Sequence, residues 1–331
     1  MKIAFTSCTC AGFIGNQPVW DSIRLAQPDH VVLLGDNIYN DVPSPGIAAL
    51  QDMSDLQFAV HTHARYVQQL ANPQFRALVA EPGITVHAIW DDHDFAWDNA
   101  EGGELLRNPV QAGKVKISTS LMREFRRVLK AKDLSLFAAS AHDPAVWADT
   151  QANVFKALGA SSIPLEDNGR SWLHLTDGRT ERRKKTMLGI TQRNRLKLAF
   201  DKHPDALHII ASGGTFSHHD CWANYPTDYT WLKSCMGDRR WLMLSGDVHV
   251  NNQMDHPVEG GGCLVEATSS GAGSVAYLNP LYPGAELRNH GLLELTDNQA
   301  TLTLASFGET IGKPVHFARR PGGDLGARHA A

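Results

Sequence analysis

"HAIWDDHDFAW" occupies residues 87–97. A short apolar run stops at four consecutive ionisable residues, Asp91, Asp92, His93 and Asp94, and aromatic residues stand on both sides. A solvated turn does not need that apolar frame, and a core strand does not tolerate unpaired charge. The stretch therefore raises the question of what three carboxylates and an imidazole do at the end of a buried strand.

Three other apolar runs end in the same way. The first closes on "SCTC", with Cys8 just past the run; the second closes on "LLGDNIYND", presenting Asp36, Asn37, Tyr39 and Asn40. A late run closes on "LMLSGDVHVNN", presenting Asp247, His249, Asn251 and Asn252. One such ending alone reads as an Asp or Asn that caps the next helix or opens a turn. Four together favour a shared metal site, because open α/β sheets gather their sites outside the carboxyl ends of the strands. Carboxylate and imidazole donors suit hard or borderline metal ions.

The wider pattern agrees with a mixed α/β chain. Apolar runs predict strands over residues 3–7, 30–34, 85–90, 207–211, 241–245, 263–267, 292–295 and 301–304, and helical patterns cover 52–70, 116–132 and 191–203. Early strands alternate with helices and late strands follow one another closely, which predicts a sheet of βα units followed by a meander. A single domain is expected over residues 1–320, with a mainly helical insertion or cap around 102–162. The polar, Gly-rich stretch 321–331 is expected to fray.

Composition limits the function classes. The 331 residues are 43% hydrophobic and 20% charged with a net charge of −4, an ordinary soluble composition without a basic block for a nucleic-acid surface. The run "RTERRKK" at 179–185 is too short to change that. No apolar run approaches the roughly 20 residues of a membrane span, and no signal-length segment is seen, so a cytoplasmic location is expected. Five cysteines leave an odd count, which argues against a disulfide framework. Cys8 and Cys10 on their own read as a pair of small buried residues. His61 and His63, two apart on a helix, face different ways and make no metal pair.

"GDNIY", "WDDHD" and "GDVH", in this order, resemble the calcineurin-like metallophosphoesterase superfamily, and within it the PhoD-like alkaline phosphatase/phosphodiesterase family. Ser7 and Cys8 at the first strand end, "TDGRTERRKKTMLGITQRNRL" and "DCWANYPTDYTWL" are similar to further motifs of that family. The resemblance implies a four-layer α/β sandwich, two mixed β-sheets packed face to face with helices outside. It implies hydrolysis of phosphomonoesters, phosphodiesters or both at a binuclear metal centre, with a metal-activated hydroxide as nucleophile and a small phosphate ester as substrate. Asp36 would bridge two ions. Cys8, Tyr39 and His249 would bind a ferric ion, and Asp92 and Asp247 a divalent ion, Ca2+, Mn2+ or Zn2+. His93 would be catalytic, acting on the leaving oxygen.

Supporting roles follow from the same comparison. Asp91 and Asp94 read as supports, with Asp94 orienting His93, and Asn37 as a neighbour of substrate or ligands. Asn99 reads equally as a support or a cap. Arg179 and Arg182 either anchor phosphate or brace loops through Asp177, and Gln192 caps or packs the helix that follows it. One departure concerns "LHIIASGGTFSHHD", where the superfamily places a ligand His at the strand end. Here His218 and His219 stand further along a Gly-rich loop and either reach the site or lie at the surface. Two other readings stay open: a regulatory metal-binding protein of the same fold without turnover, and a structural protein with one metal.

Overall fold

The computed structural model describes residues 1–138, 157–218, 220–273, 288–306 and 308–329. Its first half alternates strands and helices: β1 (Lys2–Thr6), α1 (Val19–Leu25), β2 (His30–Leu34), α2 (Ile47–Asp52), α3 (Asp55–Ala71), α4 (Pro73–Ala80) and β3 (Thr85–Ile89). The expected helix over 52–70 is α3, which starts at Asp55 because Ser54 caps it. The Ser54 hydroxyl accepts from Gln57 N–H while the Gln57 side chain accepts from Ser54 N–H, a capping box that starts α3 afresh.

After β3 come α5 (Asp92–Phe95), α6 (Gly102–Leu105), α7 (Ala112–Ala131) and α8 (Ser135–Ala138). Helices α6 to α8 fall within residues 102–162, of which 139–156 lie outside the described residues. The chain resumes with β4 (Ser161–Pro164), β5 (Ser171–Leu175), α9 (Gly189–Lys202), β6 (Leu207–Ala211), α10 (Pro226–Met236) and β7 (Arg240–Ser245). It finishes with β8 (Asn251–Pro257), β9 (Cys263–Ser269), β10 (Asn289–Leu295), β11 (Gln299–Ser306), β12 (Glu309–Arg319) and β13 (Leu325–His329). The tail expected to fray is in part this last strand, paired antiparallel with β12.

Two mixed sheets result. A seven-stranded sheet has the order β13-β12-β11-β10-β1-β2-β3, and a six-stranded sheet the order β4-β5-β6-β7-β9-β8. Strands β1 to β3 are parallel, as are β5, β6, β7 and β9, and β10 to β13 form the antiparallel meander. The central strands are continuous apolar runs because both of their faces are buried. Ile3, Phe5, Val32, Leu34 and Ile89 face Leu173, Ile209, Leu242 and Val265 of the other sheet. Ala4, Val31, Leu33, Val86 and Ala88 face the outer helices on one side. Ile210, Met243 and Leu264 face Phe200, Trp222 and Leu232 on the other. The architecture is thus helices, sheet, sheet, helices. Among the described residues no helix is long and apolar enough to cross a membrane.

Candidate metal centre

Backbone strain marks where the strand ends meet. Cys8 (φ +64°), Asp36 (φ +50°), Asp247 (φ +73°) and His249 (φ +55°) all adopt left-handed conformations. Such a conformation costs a non-glycine residue about 1–2 kcal/mol, and strained residues of this kind cluster at functional sites. Glycines let the ends come close. A Cβ on Gly35 would lie 2.6 Å from Asp91 N, one on Gly213 2.5 Å from Asp91 Cγ, and one on Gly246 2.5 Å from Ser7 Oγ.

The side chains gather around Asp36. Cys8 Sγ donates to Asp36 Oδ2 at 3.3 Å, and Tyr39 Oη donates to the same oxygen at 3.4 Å. Tyr39 Oη also lies 3.0 Å from His249 Nε2. Ser270 Oγ sits 3.0 Å from Cys8 Sγ and accepts from His249 N–H at 2.8 Å, fixing both residues. On the other side, Asp36, Asp91, Asp92 and Asp247 bring carboxylate oxygens within 4.8 Å of one another, as do Asp36, Asp92 and His93 their donor atoms. Asp36 belongs to every one of these groups.

The electrostatics are those of a site that wants a cation. Burial, then Cys8, Asp92 and Asp91, pushes the Asp36 carboxyl well above the usual range. Burial, then Asp91 and Asp92, does the same to Asp247. Burial pushes the Cys8 thiol up to about 11 and the Tyr39 phenol well above its ordinary value. The His249 imidazole is lowered to about 4 by burial and by His93. Asp36 Oδ1, Asp91 Oδ2 and His249 Nδ1 are buried and have no hydrogen-bond partner. Unsatisfied buried acceptors beside crowded carboxylates are costly, and metal coordination relieves both penalties. The donor set fits a pair of ions sharing Asp36.

His93 is held by Asp41, a residue the sequence reading did not single out. His93 Nδ1 lies 2.6 Å from Asp41 Oδ1, and the ring stacks on Tyr39 with centroids 4.2 Å apart. Asp94, expected to orient His93, instead accepts from Asn37 N–H at 3.1 Å, Asn37 Nδ2 at 2.6 Å and Asp91 N–H at 2.6 Å. Asn37 also donates to the Ile89 carbonyl at 2.8 Å. Both side chains are buried latches between the ends of β2 and β3. Asn99 contributes its backbone N–H to Asp92 Oδ2 at 2.7 Å.

Arg179 and Arg182 are fully buried, where a charge run is ordinarily exposed. Arg179 pairs with Asp91 (2.5 Å), Asp220 (2.9 Å) and, more loosely, Asp92 (3.6 Å), and Arg182 pairs with Asp220. Asp92 is lowered by Arg179, His93 and the Asn99 N–H, against its burial. Asp177 anchors the turn instead, accepting from Trp90 Nε1, Arg179 N–H and Thr180 N–H. Gln192 brackets Asp177, accepting its N–H and donating to its carbonyl. Asp220 was legible only as the first residue of "DCWANYPTDYTWL".

The strand end that lacks a His is closed by Gly213, and the space a side chain would take there is filled by the Asp91 carboxylate. Asp91, read as a support, therefore stands inside the acidic cluster. His218 is exposed and takes part through its backbone N–H, which donates to Thr215 Oγ1 at 3.2 Å. His219 lies outside the described residues. Cys10 is buried in one small cluster with Cys8 and Tyr39, its Sγ 3.9 Å from the Val42 carbonyl.

No family model matches this chain, and no curated protein matches it. Among solved structures it is similar to a dimetal phosphatase from Danio rerio, at 11% identity and a TM-score of 0.48, over 94% of this chain and 98% of that one. It is also similar to a predicted phosphoesterase from Streptococcus pneumoniae, at 11% identity and a TM-score of 0.33, over 96% and 97% of the two chains. A third is Vps29 complexed with zinc from Entamoeba histolytica, at 10% identity and a TM-score of 0.34, over 96% and 99%.

Proposed function

We propose that this protein is a metal-dependent phosphoesterase of the PhoD-like type, hydrolysing small phosphomonoesters or phosphodiesters at a two-metal centre. The observation that carries the reading is the position of Asp36, with Cys8, Tyr39 and His249 on one side and Asp91, Asp92 and Asp247 on the other.

Cys8, Tyr39, His249 and Asp36 would hold one ion. Asp36, Asp92 and Asp247 would hold the second, with the unpartnered Asp91 Oδ2 beside them. A thiol and a phenol that burial keeps protonated bind as anions only to a strongly polarising ion, which favours Fe3+ at the first position. The carboxylate-rich second position favours Ca2+, Mn2+ or Zn2+. Bound ions supply charge neutralisation for the phosphoryl oxygens and make an attacking water acidic near neutral pH.

The chain's own groups do the rest. Asp41 fixes His93 through Nδ1 and leaves Nε2 as the free nitrogen. Burial works against a charge on His93, but Asp92 and Asp41 overcome it and hold its pKa up at about 9. With Nδ1 held by Asp41, Nε2 is the nitrogen that would pass a proton to the leaving oxygen. Arg179 supplies the counter-charge to Asp91. The five cysteines are all free, which suits the reducing cytoplasm proposed as its compartment.

The test is hydrolysis of p-nitrophenyl phosphate and bis-p-nitrophenyl phosphate by protein as purified, after chelation, and after metal return. Activity lost with the chelator and regained with metal is the expected result, with His93→Gln inactive throughout. Activity that survives complete metal removal would defeat the proposal.

A further inference from the structure

A second cavity, of about 560 Å3, lies away from the metal centre. It wraps the outer edge of β3 at its amino-terminal half, under α7 and beside the six-stranded sheet. Val86, Leu129, Ile163 and Leu175 supply apolar wall from both sheets and the helix. Its size is typical of small-molecule sites.

Three cationic side chains also line this space, Arg126, Lys130 and Lys132. Arg126 lines the cavity, and its Nε and Nη2 are sealed from solvent without a hydrogen-bond partner. It forms no ion pair with any of the described residues. Burial lowers its pKa, the direction expected for a cation lacking an adjacent counter-charge. Asp177, Tyr66 and Asp94 act in the opposite sense without outweighing burial. His87 is held neutral, its pKa lowered to about 4 by burial, His30 and Arg126 itself. Lys132 Nζ is engaged by the carbonyls of Glu81 and Pro82, and Lys130 stands exposed at the rim. An unpaired buried guanidinium destabilises a fold. A carboxylate in the cavity would give this cation the adjacent counter-charge it lacks.

We propose that this cavity binds an amphipathic carboxylate, a medium-chain acyl acid, with its head on Arg126 and its chain against Val86, Leu129, Ile163 and Leu175. The site is independent of the phosphoesterase reading. Calorimetric titration of the intact protein with octanoate and octanol tests it. Octanoate is expected to bind one per chain, at least tenfold more tightly than octanol. Arg126→Met should weaken octanoate at least tenfold, leave octanol unchanged, and raise the melting temperature of the ligand-free protein. Leu175→Trp, which fills the cavity and leaves the charge in place, should weaken both ligands at least tenfold. Absence of saturable octanoate binding to the wild type, or undiminished octanoate affinity in either variant, would overturn the proposal.

Discussion

His93 Nδ1 lies 2.6 Å from Asp41 Oδ1, and the second Asp41 oxygen accepts from Asp98 N–H at 2.8 Å. The carboxylate thus ties the end of the third strand to the loop that follows the second, and fixes which imidazole nitrogen stays free. Asp41→Asn should lower kcat about 10–100-fold, the usual effect of losing a carboxylate that orients a histidine. KM should change little. Steady-state kinetics on p-nitrophenyl phosphate check this; an unchanged kcat would remove Asp41 from the account.

Asp91 and Arg179 form a buried pair at 2.5 Å, and Arg179 is also bound to Asp220. Removing one partner of such a pair leaves an uncompensated charge, so Arg179→Met should cost roughly 3–5 kcal/mol. The double variant Asp91→Asn/Arg179→Met should lose less than the sum of the two single losses. Urea denaturation of the four proteins supplies the cycle, and strict additivity would contradict the coupling.

A Cβ added to Gly213 would lie 2.5 Å from Asp91 Cγ. Gly213→Ala should destabilise by about 1–3 kcal/mol through overpacking and weaken metal retention by displacing Asp91. Thermal unfolding and metal content measure the two effects separately. A fully stable, fully loaded variant would show that Asp91 is not confined there.

The sequence made some of this readable and left some of it hidden, for definite reasons. The strands β2 and β6 run over the residues predicted, His30–Leu34 and Leu207–Ala211, because burial on both faces forces unbroken apolar runs. Strand β8, "NNQMDHP", escaped because it is an edge strand with mostly polar, partly exposed residues. Cys8, Asp36, Tyr39, Asp92 and Asp247 stood out as polar residues ending apolar runs. Asp41, Asp220 and Ser270 did not, because they lie in loops whose approach to the site depends on long-range packing. Asp94 was adjacent to His93 in sequence and seemed its natural partner. The helical turn of α5 carries its carboxylate to Asn37 instead.

Among the described residues His174, His208 and His290 are buried outside the metal centre, and His87 is half-buried. Burial lowers His87, His208 and His290 to about 4 and His174 well below its ordinary value. Ser162, His174, His208 and the His203 carbonyl form one hydrogen-bonded chain, at 2.8, 2.9 and 3.1 Å. Its terminal acceptor makes His208 Nε2 a donor and fixes both tautomers. Unfolded, each imidazole titrates near 6.5; folded, His87, His208 and His290 stay unprotonated to about pH 4. The unfolded state binds more protons between those values, so each group's contribution is complete above pH 6.5. It is lost on acidification, at about 1.4 kcal/mol per pH unit per group. Buried carboxylates of raised pKa act in the opposite sense, so the quantity to measure is a difference. Stability from urea midpoints should fall less steeply between pH 6.5 and 4.5 for His290→Gln than for the wild type. Parallel curves would contradict the assignment.

Asp36 is proposed to be shared by two metal ions, which the metal content of the protein reads out. Elemental analysis of the wild type should give two equivalents of metal per chain, one of them iron, and Asp36→Asn should hold fewer than two and hydrolyse neither aryl phosphate ester. An Asp36→Asn protein that retained two equivalents and full activity would contradict the account.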